Sequence, residues 1–206
     1  MGKEVELRAR VDTEAKQRLA SYLAAQAGVR VQTRCFIDYS TFLEGIGERK
    51  LDVRFRMTDG IPEIVVKKGV FGAAVREEAA ARLLEADAEG GLSLMALLGY
   101  QKGVCGGRRI CRVTVGDIEF ALQDVLDFAE PSHVADCFLE VEYVGDVGDA
   151  DEVKAQAELN SCLSQFGLTA FSIEQWNAYI AELNERWNGV YVHGETPIDV
   201  VRSLGS

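Results

Sequence analysis

The amino-acid sequence predicts an α+β protein in which antiparallel strands form a sheet and helices pack outside it. Three observations support this fold class. Many short segments alternate charged and apolar residues with the period of two that a strand requires. Two turn signals, Asp59-Gly60 and Gly116-Asp117, join consecutive strands as hairpins. Two helical patterns, at about 150–166 and 172–187, come last.

The first third of the chain contains one helix among several strands. Segment 3–11 alternates strictly, so it is predicted to be a strand with one charged and one apolar face. Asp12 and Thr13 supply a cap for a helix that continues to about Ala27. Further strands are predicted at 29–39, 50–57 and 62–68, with a Gly-containing loop at 44–47.

The middle of the chain is less uniform. Residues 73–86 are ambiguous, because their alanines and glutamates favour a helix. A short helix is predicted at 92–98, ending at Gly99. Strands are predicted at 108–115, 118–125 and 138–144, followed by a Gly-Asp break at 145–149 and, beyond 187, a polar tail.

Composition excludes several classes of function. The 206 residues contain 22 Lys plus Arg and 33 Asp plus Glu, a net charge of −11, which argues against nucleic-acid and anionic-membrane partners. No apolar run is long enough to span a membrane, and no signal peptide is evident. Five cysteines without a CxxC pair predict free thiols and a cytoplasmic location.

The acidic excess is unevenly distributed. Residues 1–129 carry 19 acidic and 19 basic side chains, and residues 130–206 carry the other 14 acidic and 3 basic ones. Most of the predicted strands lie within residues 1–129, where acidic and basic side chains are equal in number. Their charged faces allow two interpretations: a half-exposed sheet with its charges in water, or a closed barrel with a polar lumen and apolar faces packed outward.

An ordered series of motifs resembles the CYTH family, the triphosphate tunnel metalloenzymes. The opening EVELR at 4–8 is similar to the family's ExExK signature. The later motifs follow in the family's order: QTRCFID at 32–38, VRFR at 53–56, IVVKKG at 64–69, REE at 76–78, Gly99-Tyr100, Arg108-Arg109 and FLEVE at 138–142. The family includes class IV adenylate cyclases, thiamine triphosphatases and inorganic triphosphatases.

The resemblance implies a closed antiparallel eight-stranded β-barrel with a polar lumen and helices packed outside. It implies a single domain over residues 1–206, with a barrel core at 3–144 and a C-terminal helical segment at 150–188. It also makes residues 74–84 a strand in spite of their helical composition.

The resemblance also implies a polyanion site inside the barrel. A triphosphate needs several fixed cations, and guanidinium groups contact phosphate in a bidentate manner. The implied substrate-binding residues are Arg8, Arg54, Arg56, Lys67 or Lys68, Arg76 and Arg109. Carboxylates beside a polyphosphate require a hard cation between them, so Glu4, Glu6, Glu140 and Glu142 are implied to hold Mg²⁺ or Mn²⁺.

Some positions depart from the family pattern. Arg8 stands in place of a lysine, so a phosphate-holding role is expected of it, and no other residue is assigned to catalysis. Arg34 and Gln123 replace acids, and strand parity turns Asp124 outward. Parity favours Lys67 over Lys68 in the lumen, although Lys68 precedes Gly69 as in many relatives.

Three functions are consistent with these residues. The first is a metal-dependent hydrolase of inorganic triphosphate or a small organic triphosphate such as thiamine triphosphate. The second is a class IV adenylate cyclase, which makes cyclic AMP and pyrophosphate from ATP. The third is a non-catalytic polyphosphate-binding module. The expected partner is a triphosphate-containing small molecule. The sequence leaves open whether the protein forms a homodimer.

Overall fold

The computed structural model describes residues 2–42, 50–144, 147–148 and 151–204. These residues form nine β-strands: β1 Gly2–Arg10, β2 Arg30–Asp38, β3 Leu51–Thr58, β4 Ile61–Lys68, β5 Val75–Arg82, β6 Lys102–Val115, β7 Ile118–Leu126, β8 Val134–Tyr143 and β9 Gly189–Val192. They also form five α-helices: α1 Thr13–Ala24, α2 Ala88–Leu97, α3 Glu152–Gln165, α4 Ile173–Arg186 and α5 Ile198–Ser203. The loop predicted at 44–47 lies outside the described residues, as does most of the break predicted at 145–149.

Eight of the strands close into an antiparallel barrel. Their order is β2-β3-β4-β5-β1-β8-β7-β6, and pairing between β2 and β6 closes the ring. The first strand lies beside the last barrel strand, with Glu6 opposite Glu142 and Arg8 opposite Glu140. Outside the ring, β9 pairs with the beginning of β6. The predicted closed eight-stranded barrel is confirmed.

The apolar strand faces point outward, and this decides between the two interpretations of the charged faces. Val5 and Ala9 of β1 are fully buried against helices rather than against a core inside the barrel. Leu19 of α1 and Leu159 of α3 are fully buried in the same cluster. Because the helices cover the apolar faces, the charged faces of these strands line the lumen.

Strand β5 forms where composition favoured a helix. Its segment pairs on both sides, with Arg76 opposite Glu4 of β1 and Glu78 opposite Lys67 of β4. Two flanking strands satisfy the backbone groups of β5, and this tertiary pairing outweighs the helix propensity of its alanines. The strand implied by the resemblance at 74–84 is thus confirmed over Val75–Arg82.

The first hairpin turn has the backbone geometry that its residues favour. Asp59 and Gly60 have φ angles of 51° and 80°, the pair of positive values of a type I′ turn. The turn places Thr58 opposite Ile61 and fixes the register of β3 against β4.

The polar tail contains two elements that the sequence pattern did not reveal. Strand β9 and helix α5 are four and six residues long, too short for periodicity to identify. They are nevertheless anchored, because Tyr191, Val201 and Leu204 are buried against the outer face of β2 and β6. All five cysteines are free. Among the described helices, none combines the length and the apolar character needed to cross a membrane.

Candidate functional site in the barrel lumen

The lumen is a cavity of about 350 Å³ lined by charged side chains from every barrel strand. Helix α4 covers one end, where Trp176, Ile180 and Asn184 line it. The acidic lining residues are Glu4, Glu6, Asp38, Glu78, Glu119, Glu140 and Glu142. The basic ones are Arg8, Arg34, Arg54, Arg56, Lys67, Arg76, Arg108 and Arg112.

Three carboxylates on β1 and β8 form a compact group. One oxygen from each of Glu6, Glu140 and Glu142 lies within 4.8 Å of the others. The pairing of β1 with β8 produces this grouping, since opposite residues of an antiparallel pair point to the same face. We call these three side chains the carboxylate group. Oxygen ligands at this spacing suit a hard divalent cation.

Glu6 is the most strongly compensated member of the carboxylate group. It is 3% exposed, and its carboxylate contacts Arg8 and, at 2.6 Å, Arg76. Burial by itself would raise its pKa, but Arg8, Lys67 and Arg76 together hold the pKa well below its ordinary value. Glu6 is therefore ionised in the folded protein.

Glu142 has the opposite environment. Among the described residues, no Lys or Arg lies within ion-pair distance of it. Burial, followed by the charges of Glu140, Glu4 and Glu6, raises the pKa of Glu142 to about 8. A carboxylate held among other carboxylates without its own cation is a suitable ligand for a cation from solution.

Without metal, the protein is expected to lose stability as the pH rises. Burial raises the folded-state pKa values of Glu142 and Glu4 to about 8 and about 7, from 4.5. The folded state therefore keeps protons that the unfolded state releases, so the stabilisation is full below 4.5 and is lost up to about 8. Melting temperatures measured in chelator at about pH 5.5, 7 and 8.5 should fall as the pH rises. The melting temperature of Glu142→Gln should fall less steeply over the same range. Equal slopes for the two proteins would contradict this assignment.

Glu4 lies outside the carboxylate group, which differs from its predicted place among the metal ligands. Its carboxylate accepts a hydrogen bond from Lys67 Nζ at 2.7 Å. Lys67 Nζ also lies 2.7 Å from a Glu78 carboxylate oxygen and 3.7 Å from a Glu6 carboxylate oxygen, so it contacts carboxylates of both β5 and β1. Lys68 has a 72% exposed side chain outside the barrel, and the choice between the two lysines is settled in favour of Lys67 in the lumen.

Five arginines from β2, β3 and β6 form the opposite wall. We call this set the arginine wall: Arg34, Arg54, Arg56, Arg108 and Arg112. Three of them have carboxylate partners, as Arg54 pairs with Asp52 at 2.6 Å, Arg56 with Glu63 at 2.6 Å, and Arg112 with Glu119. The wall thus contains both neutralised and unneutralised cations.

The predicted placement of Arg109 in the lumen is wrong. Arg109 is exposed on the outer face, and Arg108, 5% exposed, lies in the lumen. The sequence contained a signal for this. The two-residue turn Gly116-Asp117 sets a register that places Arg109 opposite Asp124, a residue that parity already turned outward. Asp124 does lie outside, 2.6 Å from Lys16 of α1.

Two acidic partners of the arginine wall were missed, although each lies within seven positions of its arginine in the sequence. Asp52 and Glu63 were not assigned roles, yet each holds an arginine of the wall. Gln123 faces the lumen, as its position in the family pattern implied. Its Nε2 donates a hydrogen bond to Glu140 Oε1 at 3.3 Å. Of the predicted residues, the lumen brings together Glu4, Glu6, Arg8, Arg54, Arg56, Lys67, Arg76, Glu140 and Glu142.

Helix α4 contributes to the site as well as to packing. Trp176, Tyr179 and Leu183 are all buried in one cluster with Phe138. The Arg8 guanidinium also lies 4.8 Å from the centre of the Trp176 ring. Since Arg8 contacts Glu6 and donates to Glu140 at 2.8 Å, this helix helps to fix the cation beside the carboxylate group.

The closed barrel and its charged lumen give the chain the fold of the triphosphate tunnel proteins. No family model matches the sequence, and no curated protein matches it either. Solved structures do match. A protein from Pyrococcus horikoshii aligns over 87% of this chain and 98% of its own, with a TM-score of 0.62 and 17% identity.

Two further structures show how widely the fold is used. A proposed adenylate cyclase from Vibrio parahaemolyticus aligns over 83% of this chain and 94% of its own, with a TM-score of 0.59 and 17% identity. A chain of the Schizosaccharomyces pombe Mediator head module aligns over 80% and 94%, with a TM-score of 0.56 and 12% identity. At these identities the likeness establishes the fold, and the site must be argued from this chain's own residues.

Proposed function

We propose that the protein is a metal-dependent triphosphate-processing enzyme that hydrolyses inorganic triphosphate or a small organic triphosphate such as thiamine triphosphate. One observation carries the proposal: a buried cavity has a carboxylate group on one wall and an excess of guanidinium groups on the other. A polyanion with a divalent cation is the ligand that satisfies both walls at once. The size of the cavity, about 350 Å³, suits a small molecule.

The residues fit a bound Mg²⁺ or Mn²⁺. Glu6, Glu140 and Glu142 would hold it, because their oxygens lie within 4.8 Å of one another and Glu142 lacks a cationic partner among the described residues. When bound, the metal would neutralise phosphate charge and polarise a phosphoryl oxygen. The metal would also relieve the repulsion among the three carboxylates.

Arg8 is placed to stabilise the transferred phosphoryl group. It lies beside Glu6 and Glu140, and these carboxylates raise its pKa even though burial opposes the shift. It therefore stays charged and cannot accept a proton. In hydrolysis, water would attack the terminal phosphorus and lose its proton to solvent while the bond to the bridging oxygen breaks. Pyrophosphate would leave from inorganic triphosphate, and thiamine diphosphate from thiamine triphosphate. Arg8, together with Arg76 and Lys67, would hold the phosphate oxygens during that step.

A class IV adenylate cyclase is the second candidate, and the α4 end of the lumen favours it. Phe36, Phe138 and Trp176 line this end with Asn188, whose Oδ1 is buried without a hydrogen-bond partner. An aromatic and amide lining suits a flat organic group attached to the phosphates. The likeness to the proposed cyclase from Vibrio parahaemolyticus agrees with this reading.

A non-catalytic polyphosphate-binding module is the third candidate. Arg8 in place of the family's lysine motivates it, and the Mediator chain shows that the fold also occurs within a large assembly. A cytoplasmic location and a homodimer stay predictions from the sequence.

Product analysis separates the three candidates. Purified protein is incubated with Mg²⁺ or Mn²⁺ and, separately, tripolyphosphate, thiamine triphosphate and ATP, and the assays measure phosphate, pyrophosphate and cyclic AMP. We expect phosphate release from tripolyphosphate or thiamine triphosphate. Cyclic AMP with pyrophosphate would refute the hydrolase and establish the cyclase, whereas tight binding without turnover would leave the binding module.

A further inference from the structure

Two arginines of the arginine wall lack carboxylate partners. Within the part of the chain that the structure describes, no Asp or Glu lies within ion-pair distance of Arg34 or Arg108, although Arg54, Arg56 and Arg112 all have one. Burial, reinforced by nearby arginines, lowers the pKa of each unpaired guanidinium to about 10. Arg108 is 5% exposed and Arg34 is partly buried, and unpaired cations with so little access to water are costly, so their presence requires an explanation.

The two arginines are also direct neighbours. Arg34 of β2 and Arg108 of β6 are register partners in the pair that closes the barrel. Opposite residues point to the same face, so two like charges lie side by side in the lumen. Such a pair destabilises a sheet unless an anion lies between the charges.

Each guanidinium is held in place while its remaining donors stay available. Arg34 Nε donates to Thr58 Oγ1 at 3.0 Å, and Arg108 Nη1 donates to Gly107 O at 2.7 Å. The Arg108 guanidinium also lies 5.0 Å from the centre of the Phe36 ring. A guanidinium has five N–H donors, so several are left on each side chain to bind oxygen atoms in a fixed geometry.

We infer that Arg34 and Arg108 form an anion subsite that binds a phosphate group of a polyphosphate chain, across the lumen from the carboxylate group. The subsite deepens the proposed function, on which it rests, by naming the residues that hold the part of the substrate remote from the metal. It explains why an arginine occupies position 34, where the resemblance implies an acid.

The test is binding without metal and without turnover. Calorimetric titrations in chelator use tripolyphosphate and ATP as probes, with the wild type, Arg34→Met and Arg108→Met. The matched control is Arg109→Met, which removes an exposed arginine beside Arg108 on the outer face. We expect each lumen variant to bind tripolyphosphate about tenfold more weakly or worse, and the control to bind as the wild type does. Weaker binding of both probes by the lumen variants identifies the phosphate tail that the probes share as the ligand. Weaker binding of tripolyphosphate alone identifies an inorganic phosphate chain as the ligand.

Stability distinguishes a binding role from a structural one. Removing an unpaired buried charge should raise the melting temperature of ligand-free Arg34→Met above that of the wild type. Unchanged affinity, or weaker affinity together with a lower melting temperature, would overturn the subsite. The outcome is independent of the proposed enzyme. A chain that binds polyphosphate through Arg34 without turnover refutes the enzyme only, and an active chain whose Arg34→Met binds normally refutes the subsite only.

Discussion

Glu142→Gln is expected to reduce metal-dependent turnover by about 100-fold or more while the barrel stays folded. Glu142 is the member of the carboxylate group without a Lys or Arg partner among the described residues, so no side-chain cation competes with a metal for its negative charge. The amide keeps the shape of the side chain and removes that charge. Phosphate release measured over a range of Mg²⁺ concentrations should show both weaker metal dependence and a lower maximal rate.

The stability of the same variant provides the control. Because Glu142 lies among three other carboxylates that raise its pKa, its neutral replacement should melt at or above the wild-type temperature near neutral pH. Glu14→Gln, on a side chain of α1 that is 84% exposed and pairs with Arg18, should leave activity unchanged and lower the melting temperature by only about 1–2 °C. Full activity in Glu142→Gln would remove Glu142 from the metal site. Lower activity with a lower melting temperature would indicate damage to the barrel.

Glu142 is a better choice for this test than the first pair of acids. A combined Glu4→Gln and Glu6→Gln variant also removes metal ligands that the resemblance implies. Glu6, however, compensates Arg8 and Arg76 in the folded protein. Neutralising it would leave two buried guanidinium groups under-compensated, so a loss of activity could not be separated from a loss of stability.

The alternation of charge along the strands predicted which side chains share a face, and the family resemblance predicted that this face lines a closed lumen. Glu4, Glu6 and Arg8 fall on one face because side chains alternate, and burial of the opposite face by α1 and α3 turns that face inward. Alternation also favoured Lys67 over Lys68 for the lumen, and the structure has Lys67 inside and Lys68 outside. The period-two pattern depends only on neighbouring residues of one strand, so it predicts correctly which side chains share a face wherever the strand has no irregularity.

Contacts between distant strands could not be predicted in this way. Nothing local indicates that Arg76 meets Asp52, 24 positions away, or that Arg34 lies opposite Arg108. These contacts depend on barrel closure and stagger, which are properties of the whole sheet. The choice between Arg108 and Arg109 failed for a related reason, because a shift of one residue reverses every side chain of a strand.

Arg76→Met is expected to cost about 3–5 kcal/mol of unfolding free energy, the largest stability loss among these variants. Arg76 is 4% exposed and binds Glu6 at 2.6 Å and Asp52 at 3.2 Å. Methionine fills much of the same space but leaves both carboxylates without this cation in the interior. In a chain of this length the melting temperature should fall by about 10 °C, and denaturant unfolding measures the loss directly.

The sign of the change in stability distinguishes lumen arginines that have carboxylate partners from those that have none. Arg76 compensates buried carboxylates, so its removal destabilises, whereas Arg34 has no such partner among the described residues, so its removal should stabilise. Arg76→Lys, which keeps a cation beside both carboxylates, should lose less stability than Arg76→Met. An Arg76→Met protein as stable as the wild type, or an Arg76→Lys protein no more stable than Arg76→Met, would contradict this account. Opposite shifts for two arginines in one cavity would show that Arg76 compensates the carboxylates around it in the folded protein, whereas the charge of Arg34 opposes folding.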